Sequence, residues 1–237
     1  MKAARAVLSL IASLTVLAGC NAREAPREAA RPSAATVPAA TPDFSQRPAG
    51  PLIVALGDSL TAGFGLRDAS EAYPALLQER LNERGLNYHV VNAGVSGDTS
   101  AGGLSRLDLA LDGDVRVLIV ALGGNDGLRG LPAEELRKNL QAIIERAHER
   151  RIQVVLAGME APPNFGAQYV AEFRRTYSDL AKQYHAAFVP FLLQGVAGIE
   201  SLNQRDGIHP TPEGARLVAD NVWKALEPLV AEHVESK

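Results

Sequence analysis

Four loop segments carry side chains that could do acyl-transfer chemistry. Gly57-Asp58-Ser59-Leu60-Thr61 offers a serine hydroxyl, either a nucleophile or a helix cap, because Ser is a favoured cap. Asn92 to Thr99 contains Gly94 and Gly97, and the Gly97 N–H can serve an anion near a helix N-terminus or simply belong to a tight turn. Leu122-Gly123-Gly124-Asn125-Asp126-Gly127 offers the Asn125 carboxamide, either an oxyanion donor or a Gly/Asn turn residue, with Asp126 as a brace for the loop. Asp206-Gly207-Ile208-His209-Pro210 sets a carboxylate three residues before an imidazole. In a tight turn that carboxylate can fix the tautomer of His209 and support its imidazolium form. Taken together these residues supply a nucleophile, a base, an orienting carboxylate and oxyanion donors.

The elements between the loops decide whether they can meet. Apolar runs at Leu52 to Leu56, Tyr88 to Asn92, Val115 to Leu122, Ile152 to Ala157 and Ala187 to Phe191 predict five strands. Amphipathic stretches at Glu71 to Arg84, Thr99 to Leu111, Pro132 to Arg150, Ala167 to Gln183 and Thr211 to Val230 predict helices between and after them. Regular alternation of this kind implies a parallel sheet covered on both faces, and the Val/Ile/Leu-rich strands agree. In such open sheets ligands bind beyond the carboxyl ends of the strands. Chemistry should therefore gather just after Leu56, Asn92, Leu122, Met159 and Phe191.

The quoted segments, in this order, resemble the four sequence blocks of the SGNH (GDSL) hydrolases. The strings from Ser96 to Ser100, Leu122 to Gly130 and Asp206 to Gly214 are similar to the bacterial acyl-CoA thioesterase, lysophospholipase and arylesterase subgroup. The likeness extends over about Pro51 to Val230. It implies a three-layer α/β/α sandwich with a five-stranded parallel sheet of flavodoxin-like type. It further implies Ser59 as nucleophile, His209 as base and Asp206 as its orienter, with an oxyanion hole made by the Ser59 and Gly97 amides and the Asn125 side chain. Ester or thioester substrates are expected, with neither metal nor cofactor. By the resemblance and by their places after strands, Leu128, Leu131, Pro162, Pro163 and Phe165 are expected to wall the acyl site.

Residues 1–19 read as a bacterial lipoprotein signal peptide. Lys2 and Arg5 precede an apolar run from Val7 to Leu17, and Leu17-Ala18-Gly19-Cys20 resembles a lipobox. Cys20 is then the lipidation site and the membrane anchor. Residues 20–50, rich in Ala, Pro and charge, read as a tether, and residues 51–237 as the hydrolase domain. The expected location is the cell envelope, facing the periplasm, and Asn21 after Cys20 favours the outer membrane. One Cys excludes an internal disulfide framework, and a net charge of −3 carries no nucleic-acid signal; a monomer is expected.

Two other enzyme or binding classes fit less well. An α/β-hydrolase elbow needs glycine where Thr61 stands. A dinucleotide loop after Gly63-Phe64-Gly65 would need glycine where Asp68 stands. A non-catalytic envelope lipoprotein that binds lipid or glycan on the same fold stays open at this point.

Overall fold

The computed structural model describes residues 50–235; the segment expected to be signal peptide, Cys20 and tether up to residue 49 lies outside the described residues. Five parallel strands, β1 (Leu52–Gly57), β2 (His89–Gly94), β3 (Val115–Ala121), β4 (Gln153–Ala157) and β5 (Ala187–Val189), form one sheet in the order β2-β1-β3-β4-β5. Eight α-helices accompany them among the described residues: α1 (Ser59–Ala62), α2 (Tyr73–Glu83), α3 (Ser100–Ser105), α4 (Leu107–Ala110), α5 (Gly124–Leu128), α6 (Ala133–Glu149), α7 (Ala167–Tyr184) and α8 (Pro212–Glu235).

The chain winds one way from β1 to β2 and then reverses past β1 to β3. Right-handed crossovers therefore put the helix before the reversal and those after it on opposite faces. Accordingly α2 packs with α8, while α6 packs with both α3 and α7. Every residue of β1 is buried, as a central strand covered on both faces requires. The apolar stripe Val218, Val222, Trp223 and Leu226 of α8 is buried, as are Leu136, Leu140, Ile143 and Ile144 of α6.

Register matters most for the site. Gly57, the last residue of β1, pairs with Gly94 of β2 and Ala121 of β3. Three strands thus end in line, and the loops after them leave from a single rim at the switch between β1 and β3.

Several elements differ from their sequence boundaries. The helix expected over Thr99 to Leu111 is broken at Arg106, whose side chain is committed to the strand ends as described below. The strand expected to reach Phe191 stops at Val189, because Pro190 has no N–H to continue the ladder. Ser59 and Asn125 do not sit on irregular loops but in one-turn helices, α1 and α5, too short to show a hydrophobic period.

Candidate active site

The turn before α8 arranges its own acid–base pair. Asp206 Oδ1 accepts the N–H groups of Ile208 (2.9 Å) and His209 (3.0 Å), folding the chain back, while Oδ2 lies 2.7 Å from His209 Nδ1. Burial alone would push the Asp206 carboxyl up, but the Ile208 amide together with the ring and amide of His209 outweighs it and lowers the group to about 2. An ionised Asp206 accepts Nδ1–H and leaves Nε2 as a base. That nitrogen stands 2.8 Å from Ser59 Oγ, 150 residues away in sequence.

Ser59 is not the cap of α1. Asp58 is: its Oδ1 accepts the Leu60 N–H at 3.0 Å. Ser59 therefore occupies the first helical position, where its own N–H has no partner within the helix and its hydroxyl is left to His209. Asp58 is 2% exposed, and burial pushes its carboxyl up to about 6; the Leu60 amide and His209 oppose this, whereas Asp98 and Asp126 add to it. Thr61 turns inward, fully buried, with Oγ1 3.0 Å from the Tyr73 hydroxyl.

Across the rim, Gly97 adopts φ +86 in the β2–α3 loop, a left-handed conformation that favours glycine, and lines the cavity. The Arg129 guanidinium donates to its carbonyl at 3.0 Å. Asn125, on α5, donates one N–H to the Asp98 carbonyl at 2.9 Å, which fixes the carboxamide plane. Its nitrogen also stands 3.4 Å from Asp58 Oδ2, a weak contact that a developing oxyanion can displace. Asp126 braces the loop: it accepts the Ser100 N–H (2.8 Å) and hydroxyl (2.5 Å), and Asn139 donates to that hydroxyl at 3.0 Å, tying α5 to α3 and α6.

Ser59, Gly97, Asn125 and His209 border one cavity of about 630 Å³, lined also by Leu128, Pro162 and Pro163. Residues 55–217 match the GDSL-like Lipase/Acylhydrolase family, more than half of the chain. The protein belongs to that family. This GDSL acylhydrolase is 44% identical to the esterase TesA of Pseudomonas aeruginosa over 79% of its own length and 93% of the relative's. It is 37% identical to thioesterase 1/protease 1/lysophospholipase L1 of Escherichia coli strain K12, over 75% and 84% of the two chains. A crystal structure of TesA superposes on it with a TM-score of 0.72 at 44% identity, covering 76% of this chain and 99% of the other.

Two residues expected to wall the acyl site of this GDSL acylhydrolase stand elsewhere. Leu131 is not in the cavity lining; its N–H bonds to the Asp126 carbonyl and its own carbonyl accepts the Tyr169 hydroxyl, so the chain there is turned toward α7. Phe165 lies outside the lining as well: its ring packs on Tyr169 and over Gly130. In their place Met159, Phe191 and Leu193 line the cavity, the first two at strand-end positions that the sheet rule marks.

A further residue that local pattern does not reveal is Arg106. Its guanidinium donates to Asp98 (2.7 Å), the Ala93 carbonyl (2.7 Å) and the Gly57 carbonyl (2.9 Å). It thereby closes the carboxyl ends of β1 and β2 with charge-assisted bonds and holds the Gly97 loop beside Ser59.

Proposed function

We propose that this chain is a serine hydrolase that cleaves carboxylic esters and thioesters through Ser59, His209 and Asp206. The observation that carries the reading is the unbroken hydrogen-bonded run from Asp206 Oδ2 through His209 to Ser59 Oγ, at 2.7 and 2.8 Å, opening into a cavity with apolar walls. His209 Nε2 takes the Ser59 proton as Oγ bonds to the substrate carbonyl carbon. The resulting oxyanion is stabilised by the N–H groups of Ser59 and Gly97 and the side chain of Asn125. His209 then hands its proton to the departing oxygen or sulfur as that bond breaks. Water, activated by the same imidazole, releases the acid from Ser59. Leu128, Met159, Pro162 and Pro163 suit acyl chains better than sugars, which would ask for more polar partners.

A fluorophosphonate probe distinguishes this reading from a non-catalytic lipid- or glycan-binding protein. The expected result is stoichiometric covalent labelling of the peptide containing Ser59, with simultaneous loss of 4-nitrophenyl ester hydrolysis. A folded protein that stays unlabelled would favour the binding protein.

The Leu17-Ala18-Gly19-Cys20 string supports a second proposal: Cys20 is lipidated and tethers the hydrolase to the cell envelope, facing the periplasm from the outer membrane. In a Gram-negative host, Cys20→Ala in the full chain should move the protein from the outer-membrane fraction to the soluble periplasm. Unchanged fractionation would exclude Cys20 as the anchor.

A further inference from the structure

Phe64 occupies a position that the catalytic residues alone leave unexplained. Its ring centroid lies 4.7 Å from that of His209, tilted by 43°, yet 48% of its surface is open and it lines the cavity. One face therefore rests against the base while much of the ring is free to meet a ligand. The segment is held there deliberately by Gln204. Its Nε2 donates to the Phe64 carbonyl (2.8 Å) and to the Pro210 carbonyl (2.9 Å), and its backbone N–H donates to the His209 carbonyl (2.7 Å). A single residue thus ties the Phe64 loop to the turn that carries the base. Gly65 completes the closure: it has φ +75, and a Cβ there would come within 2.1 Å of Gln204 Oε1.

The chemistry of the general-acid step says what the exposed ring can meet. The departing oxygen or sulfur must come within about 2.6–3.2 Å of His209 Nε2 to collect its proton. The oxyanion donors Gly97 and Asn125 belong to the loops after β2 and β3, so the carbonyl oxygen points away from the imidazole. Whatever is attached to the departing atom must then pass the side chains flanking His209, of which Phe64 offers the open aromatic surface.

We propose that Phe64 is the leaving-group platform of this enzyme, selecting esters whose alcohol or thiol carries an aromatic ring over compact aliphatic ones of equal acidity, with Gln204 as its positioning residue. The proposal rests on the ester-hydrolase reading above. Offset or edge-on stacking adds to simple burial, and this sets the size of the effect.

The test compares kcat/KM for 2-naphthyl acetate and hexafluoroisopropyl acetate, whose alcohols are similar in acidity, so that the ratio reports recognition rather than bond reactivity. The wild-type ratio should favour the naphthyl ester, and Phe64→Ala should lower that ratio about three- to tenfold. Phe64→Trp should keep it, and Gln204→Leu should lower it by a smaller factor without removing any side chain that touches the substrate. The chain-length profile over 4-nitrophenyl esters should keep its shape in Phe64→Ala. Equal losses on both acetates, an unchanged ratio, or a reshaped chain-length profile would each overturn the proposal, the last by moving Phe64 to the acyl side. Should the alanine variant not fold, Phe64→Leu keeps the bulk, drops the ring and gives the same ratio test. Failure of the ester-hydrolase reading is recognised separately, by a wild-type protein that hydrolyses neither acetate.

Discussion

Ser59→Ala should lower kcat for ester hydrolysis by about 10⁴–10⁶-fold while the protein unfolds at nearly the same temperature. The loss is large because the hydroxyl forms the covalent bond and nothing nearby can replace it: the neighbouring Asp58 carboxylate is committed to the Leu60 amide and is 2% exposed. Fold retention follows from the division of labour in α1. Asp58 caps the helix, and the Ser59 hydroxyl bonds to His209, so alanine removes one bond at the cavity edge and no cap. A stability change within about 0.5 kcal/mol is expected for such a site. The check is turnover on a 4-nitrophenyl ester together with a thermal unfolding curve. Activity within tenfold of wild type would show that another group is the nucleophile.

That division was only partly legible in the sequence. Alternation of strand and helix marked five rim positions, and all five of the marked loops reach the cavity, with Ser59, Gly97, Asn125, Met159 and Phe191. Periodicity works there because β1 and β3 are long, central and buried on both faces. It fails for α1 and α5, where four or five residues make barely one turn, so the sequence leaves Ser59 between nucleophile and cap and does not mark Asp58, which caps α1. It fails again for Arg106. In sequence this is one cation within a helical stretch, whereas in the fold it bonds to Gly57 and Ala93, residues 49 and 13 positions away. Leu131 and Phe165 mislead for the opposite reason: apolar loop residues beside a site are taken for its walls, but a backbone hydrogen bond to Tyr169 and an aromatic stack settle where they go. Gln204 and Phe64, 140 residues apart, meet through a side chain to carbonyl bond that no local rule anticipates.

Asp206→Asn should cost about 10⁴-fold in kcat, nearly as much as loss of the nucleophile, though it removes no reacting atom. In the native turn one carboxylate oxygen accepts two backbone N–H groups and the other accepts Nδ1–H. In the asparagine variant the carbonyl oxygen keeps the two backbone bonds, since those partners can only donate. The amide nitrogen is left facing Nδ1 and can only donate as well. The imidazole must then carry its proton on Nε2, where it donates to Ser59 Oγ and cannot take the hydroxyl proton. Because the native carboxyl is lowered to about 2, Asp206 is ionised throughout the weakly acidic and neutral range, and the variant should fall short across that whole range. The linked stability has a definite sign. A carboxyl depressed below its ordinary value stabilises the fold above that value, and the contribution is lost as pH falls through about 2. Its side chain is 40% exposed, so solvent screening keeps that contribution small at neutral pH. The variant should therefore be crippled in turnover and only slightly less stable. A variant that works within tenfold of wild type from weakly acid to neutral pH would mean that the tautomer of His209 is set by something other than Asp206.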